Sequence, residues 1–228
     1  MNVLQRTQSP DLSERRSWLA PLLGIGFAAL FVVAFAGSTS ADGDTPGAEL
    51  IAEHAQSETA QLLTGTAMII AAIVLVFFGG WLRQILRSAA ARPDWLPDVA
   101  LAGIILQALT LTIFVSSAKS VQDGISTGDP VIARTLSIAD SNNFVTAMLG
   151  LACVLIATGV SAFRSGALPR WLAVASIVLG VMAPLGPAGF APFLSFPIWV
   201  VVVAFVASST RRRTNQVTVR PTPATATA

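Results

Sequence analysis

The chain has 228 residues, 54% of them hydrophobic and only 11% charged, with a formal net charge of +2 and a mean hydropathy of +0.70. Soluble domains carry about 25% charged residues, so this is the composition of a membrane protein. The basic balance does not point to nucleic acid, because the arginines stand at the ends of apolar runs and form no phosphate-binding stripe. The single cysteine, Cys153, excludes a disulfide framework or a CxxC site within the chain.

Residues 1–17 are polar and read as a short cytoplasmic tail. Residues 18–37 form the first apolar run. Ala34-Phe35-Ala36 has the small-x-small form of a signal-peptide cleavage site, but the run exceeds the usual apolar region of about 7–15 residues, which favours a retained anchor. An outer segment follows that carries Asp42, Asp44, Glu49, Glu53 and Glu58 and no Lys or Arg. Thr45 suits a helix N-cap with Pro46 at the first helical position, so a helix is expected to run from there into the next span.

Residues 62–82, LLTGTAMIIAAIVLVFFGGWL, carry no charge and are long enough to cross a hydrocarbon core of roughly 30 Å. Acids precede this run and Arg83, Arg87 and Arg92 follow it, which sets its direction with the arginine end inside. Pro93, Trp95 and Pro97 mark a tight cytoplasmic turn, and Pro97 and Asp98 suit the first turn of a third span over 99–117. Lys119, Asp123, Gly124, Gly128 and Asp129 read as a polar outer loop. Asp129-Pro130 is a second N-cap and N1 pair, heading a short outer helix over VIARTLSIAD.

The fourth span is expected over 144–163, and Arg164, Gly166, Pro169, Arg170 and Trp171 make the second cytoplasmic turn. Between Arg170 and Arg211 lie 40 residues without a charge, too many for one helix and right for two spans, 171–184 and 190–207, joined at Pro184, Gly186, Pro187 and Gly189. Residues 209–228 read as a basic, disordered cytoplasmic tail. Six spans with both termini inside place twelve of the fourteen basic residues in the cytoplasm, leaving only Lys119 and Arg134 outside. Five spans would expose Arg211, Arg212 and Arg213 outside, against the positive-inside rule. The fold class is therefore all-α, a polytopic six-helix membrane bundle.

None of the six spans contains Asp, Glu, Lys, Arg or His. Proton relays and ion pathways depend on such groups. His54 is the only histidine, which excludes a bis-histidine haem within one chain, and no HExxH is present. His54 with Glu58, and Glu49 with Glu53, have the i,i+4 spacing of metal ligands, but a solvated helix outside the bilayer explains them better, and no metal or cofactor is expected. Gln107 lies near the middle of the third span with Thr110, Thr112 and Ser116 beyond it. It reads as interhelical glue, with a substrate contact as the alternative. Thr146, Thr158 and Ser161 are candidate partners. Asp140, Asn142 and Asn143 form a polar cluster at the outer mouth of the fourth span, explained by capping or by a ligand. Gly79, Gly80 and Gly150 read as close-packing positions, and Cys153 as a small apolar filler.

RSGALPRWL at 164–172, DPVIARTL followed by Asp140, and FFGGWLRQILR at 77–87 together give the chain a familiar pattern. It resembles a group of small multi-spanning membrane proteins common in actinobacteria, over roughly residues 49–213. That resemblance implies an outer helix running into a span, an LPRWL-like cytoplasmic turn and a closing apolar hairpin. It implies no activity and no catalytic residue.

The resulting expectation is a non-catalytic accessory or regulatory protein of the bacterial inner membrane, in contact with the lipid bilayer and with a membrane partner or further copies of itself. A small-solute or lipid transporter is the alternative, and an enzyme using Asp123, Asp129 and Asp140 a weaker third.

Overall fold

Apolar segments of this length, with no water to satisfy their peptide groups, must close their hydrogen bonds internally, and helices do so. The computed structural model describes residues 11–36, 58–90 and 94–218, with side chains for 18–36, 62–90, 94–139 and 143–210. The described residues fold as α1 (Asp11–Ala36), α2 (Glu58–Ala89), α3 (Leu96–Ser126), α4 (Pro130–Asn142), α5 (Phe144–Ser165), α6 (Arg170–Met182) and α7 (Phe190–Thr218), with a 3-10 turn at Gly186–Gly189. No strand occurs among them. Five segments are long and apolar enough to cross a membrane: Trp18–Ala36, Leu62–Ala89, Leu96–Ser126, Pro130–Ser165 and Gly186–Thr210. The expected helix start at Thr45-Pro46, and the cluster of His54, Glu49 and Glu53, lie outside the described residues.

Individual contacts fix the direction of each helix. Arg83 and Arg87 at the end of α2 meet Asp98 at the start of α3, so α2 and α3 are antiparallel. Gly103 of α3 faces Val154 of α5, and Gly150 faces Gln107, which makes that pair antiparallel too. Gly159 and Gly180 set α6 antiparallel to α5 in the same way. Phe35 and Phe193, then Phe27 and Phe196, pair α1 with α7 head to tail. Phe144 at the start of α5 stacks on Phe190 at the start of α7, with ring centroids 4.5 Å apart.

This last contact settles the role of α6. At 13 residues it is about 20 Å long, too short to cross a bilayer core alone. Yet α5 ends at one end of the bundle and α7 begins at the other, so α6 and the turn after it must together traverse the bundle's length. The chain passes six times along the bundle, and the first residues of α1 and the last of α7 share the end that carries Arg83, Arg87, Arg164 and Arg170.

α5 is the innermost helix. From Ala147 to Ala162 its residues are buried or half-buried apart from Leu149, with α3 on one side and α6 on the other. The core also holds Phe27, Leu75, Phe78, Leu82, Ile104 and Phe196. α1 is part of it, with Phe27 fully enclosed.

One detail differs from the sequence expectation. The polar stretch from Lys119 to Asp123 and Gly124 is not a loop, because α3 continues to Ser126. A second small core explains the extension: Val121 and Ile125 of α3 enclose Ala133 and Leu136 of α4, with Gly124 packed directly against Leu136. Only Thr127–Asp129 turn, with Gly128 at φ 71°. Asp129 caps α4 as its spacing implies, its Oδ1 accepting the Val131 N–H at 2.8 Å.

The helix contacts generate a paired prediction. A Cβ on Gly103 would sit 2.5 Å from the Val154 backbone nitrogen, whereas one on Gly80 would meet nothing within 4 Å. Gly103→Ala is expected to force α3 from α5 and to cost about 1–3 kcal/mol, by the general expense of overpacking. Gly80→Ala is expected to leave stability unchanged or raise it by up to about 1 kcal/mol. Thermal unfolding in detergent, followed by tryptophan fluorescence, distinguishes the two.

Candidate functional site

The most polar point of the interior is the crossing of α3 and α5. Helices approach closely in a membrane only where side chains are small, and here glycines supply the opening on both sides. Gly103 of α3 abuts the Gly150 carbonyl and Val154 backbone of α5. Gly150 abuts the Gln107 backbone in return, and a Cβ there would lie 3.2 Å from Gln107 Oε1. Gln107 is 1% exposed. Its amide is held in the notch that Gly150 leaves, and Oε1 has no hydrogen-bond donor among the described residues.

The other expected members do not join it. Thr110 is buried one turn along, but its hydroxyl donates back to the Leu106 carbonyl at 2.9 Å within its own helix. Thr146 is exposed on another face of α5. Asn143 is half-buried at the head of α5, and its side chain does not cap the helix. Its backbone carbonyl accepts the Thr146 and Ala147 N–H groups instead. The side chains of Asp140 and Asn142 lie outside the described residues. Thr158 is buried with its hydroxyl unpartnered, two turns beyond Gly150 and so well removed from Gln107. Thr112 is exposed and bonds the Leu109 carbonyl. Gly79 packs on Ile104 as a small residue should, while Gly80 faces open space. Cys153 is half-buried. The described residues hold no cluster of three or more metal-ligating side chains.

Two polar contacts tie the bundle and were not foreseeable from local pattern. Trp199 of α7 donates its indole N–H to Ser176 Oγ of α6 at 2.7 Å, and Ser176 donates in turn to the Leu172 carbonyl. Both residues are buried. At the arginine end, Arg83 Nε and Arg87 Nη2 grip the two oxygens of Asp98 at 2.6 and 2.7 Å. The arginines stand at i,i+4, so one face of α2 presents both. Asp98 precedes the apolar stretch of α3, and the hydrogen bonds from Arg83 and then Arg87 hold its carboxyl below the usual carboxylate range. Asp94 lies beside this clasp, accepting the Leu96 N–H and the Ser161 hydroxyl, the latter at 3.4 Å. Ends of α2, α3 and α5 are thereby joined.

No family model, curated protein or solved structure matches the chain.

The clasp predicts a pH dependence. A carboxylate whose folded value is depressed contributes stability that is present above its unfolded value and lost as pH falls through the folded one. Unfolding midpoints of the wild type are therefore expected to fall on acidification below about pH 4, the ordinary Asp range. Asp98→Asn is expected to start lower at pH 7 and to show a flatter acid limb. Parallel curves for the two proteins would dissociate the clasp from stability.

Proposed function

We propose that the chain is an integral protein of a bacterial inner membrane, crossing it six times with both ends in the cytoplasm, and that its role is accessory or regulatory and not catalytic. One observation carries this reading: every buried polar side chain among the described residues is neutral, namely Gln107, Thr110, Ser137, Thr158, Ser161, Ser176 and Ser208. With no ionisable side chain among the buried described residues, the bundle lacks the usual routes for relaying protons or for charge-coupled translocation. The packing of Phe27 in the core supports retention of α1 as an anchor. The bias of arginines to one end of the bundle supports the orientation.

Gln107 supports a second reading, a small-solute or lipid transporter. A buried carboxamide with an unpartnered oxygen, at the middle of the third pass, is the type of group that would hold a polar solute.

Native mass spectrometry of the protein released gently from its own membranes separates the readings. A stoichiometric protein partner is the expected outcome. A retained small molecule, lost in Gln107→Leu at unchanged yield of folded protein, would transfer the assignment to transport. A bare monomer would count against the accessory role.

Orientation is tested separately. In a Cys153→Ala background, Thr127→Cys is expected to react with a membrane-impermeant maleimide in intact cells. Ser165→Cys is expected to react only after permeabilisation, and the reverse pattern would invert the topology.

A further inference from the structure

The two turns at the arginine end look alike in sequence, yet the structure gives their arginines different fates. At the turn between α2 and α3, Arg83 and Arg87 are both taken up by Asp98. At the turn between α5 and α6, Arg164 stands in the last turn of α5 and Arg170 is the first residue of α6. Both are exposed, and among the described residues neither makes an ion pair or a side-chain hydrogen bond. Asp94, which reaches α5 through Ser161, already accepts from Leu96 and Ser161. Two positive charges with no acidic partner among the described residues therefore flank one tight turn, which Gly166 makes possible at φ 68°.

A large exposed ring adjoins each charge in sequence. Phe163, next to Arg164, is 55% exposed, and Trp171, next to Arg170, is 61% exposed. A bulk-water surface would penalise such rings, whereas at a membrane interface an aromatic ring beside a guanidinium suits the boundary between headgroup and acyl chain. Guanidinium groups also bind phosphate oxygens in a fixed fork. We propose that the turn between α5 and α6 is a binding site for an anionic phospholipid, with Arg164 and Arg170 on the headgroup phosphate and Phe163 and Trp171 against the upper acyl chain. A free phosphate would use the arginines but give the rings no role, and that distinction commits the site to lipid. The site rests on the membrane-spanning reading above, and not on the choice between accessory protein and transporter.

The test uses the full chain in detergent, titrated with phosphatidylglycerol or phosphatidylcholine and read by native mass spectrometry. The wild type is expected to retain phosphatidylglycerol in preference to phosphatidylcholine. Arg164→Gln/Arg170→Gln is expected to weaken that retention roughly 30-fold, the cost of two basic residues near an anionic surface. Lys119→Gln, at the opposite end, is expected to behave as the wild type. Arg164→Lys/Arg170→Lys keeps the charge and is expected to lose less than the Gln pair, which guards against a folding defect in either variant. Equal retention of the two lipids, or a Gln pair that holds phosphatidylglycerol like the wild type, would overturn the proposal. Displacement of the lipid by millimolar inorganic phosphate would also overturn it, leaving a simple anion site. The maleimide reaction of Ser165→Cys reports the orientation independently, so an inverted topology and an absent lipid site give different results.

Discussion

Everything in this bundle depends on how closely α5 can be approached. In lipid the hydrophobic effect gives helices no reason to associate, since acyl chains are as apolar as leucine, and what remains is dispersion at short range. Dispersion is small per atom pair and falls off within an ångström, so backbone-to-backbone contact gains far more than contact through long side chains. α5 receives such contact on both flanks. Gly103 meets its Val154 backbone from α3, while its own Gly159 admits the Ala173 carbonyl of α6. Gly180 of α6 then reaches the Ile156 backbone one level further. The three helices form a slab within which a single added methyl has nowhere to go.

The remaining helices are held by larger side chains. α1 and α7 meet at Gly24, but most of their contact is aromatic: Phe27, Phe31 and Phe35 against Phe193 and Phe196, extended to Phe144 of α5 and along α7 to Trp199. Edge-to-face and offset pairs of this sort carry about 0.5–1.5 kcal/mol beyond burial. The indole of Trp199 ends the series by bonding Ser176, and so connects α6 to α7 where the two helices otherwise touch little. Arg83, Arg87 and Asp98 do the equivalent at the arginine end, in a polar setting where charge pairing is screened by solvent.

The all-helical class, the order of the apolar helices and their approximate bounds were legible because they follow from length and hydropathy, which are local. The six expected spans each lie in a helix of the structure, to within a residue or two, and Asp129 and Pro97 occupy the first-turn positions that their types imply. Pairing was not legible. Gly79, Gly80 and Gly150 all read as packing glycines, yet only Gly79 and Gly150 have a neighbour, because the helix face toward lipid is chosen by the whole bundle. Gly103, Gly159 and Gly180 carry the same local signal, and only the assembled bundle shows that they are close helix contacts. Thr146 resembles a partner for Gln107 in sequence and Asn143 a helix cap, but helix phase turns the first outward and the second makes no side-chain capping bond. Arg83 and Arg87 were readable as topology signals, and nothing in their neighbourhood indicated that Asp98 would pair with both while Arg164 and Arg170 find no acidic partner among the described residues. The extension of α3 to Ser126 was hidden for a related reason, since its helical state depends on packing against α4, which lies further on in sequence.

Gln107 shows how the interior weighs polarity against packing. Leaving a buried amide oxygen without a donor costs about 1–3 kcal/mol, while a leucine of similar volume would cost nothing of the kind. The glycine opposite leaves room for the amide, since a Cβ there would lie 3.2 Å from Oε1, but it supplies no donor. An apolar replacement should therefore be tolerated or even stabilising if the residue only packs. A site retained for solute or partner would lose binding on the same replacement without losing its fold. The two readings of the protein thus diverge at one side chain, and they diverge in function and not in stability, since the glycine contacts that hold α3 to α5 do not need the amide.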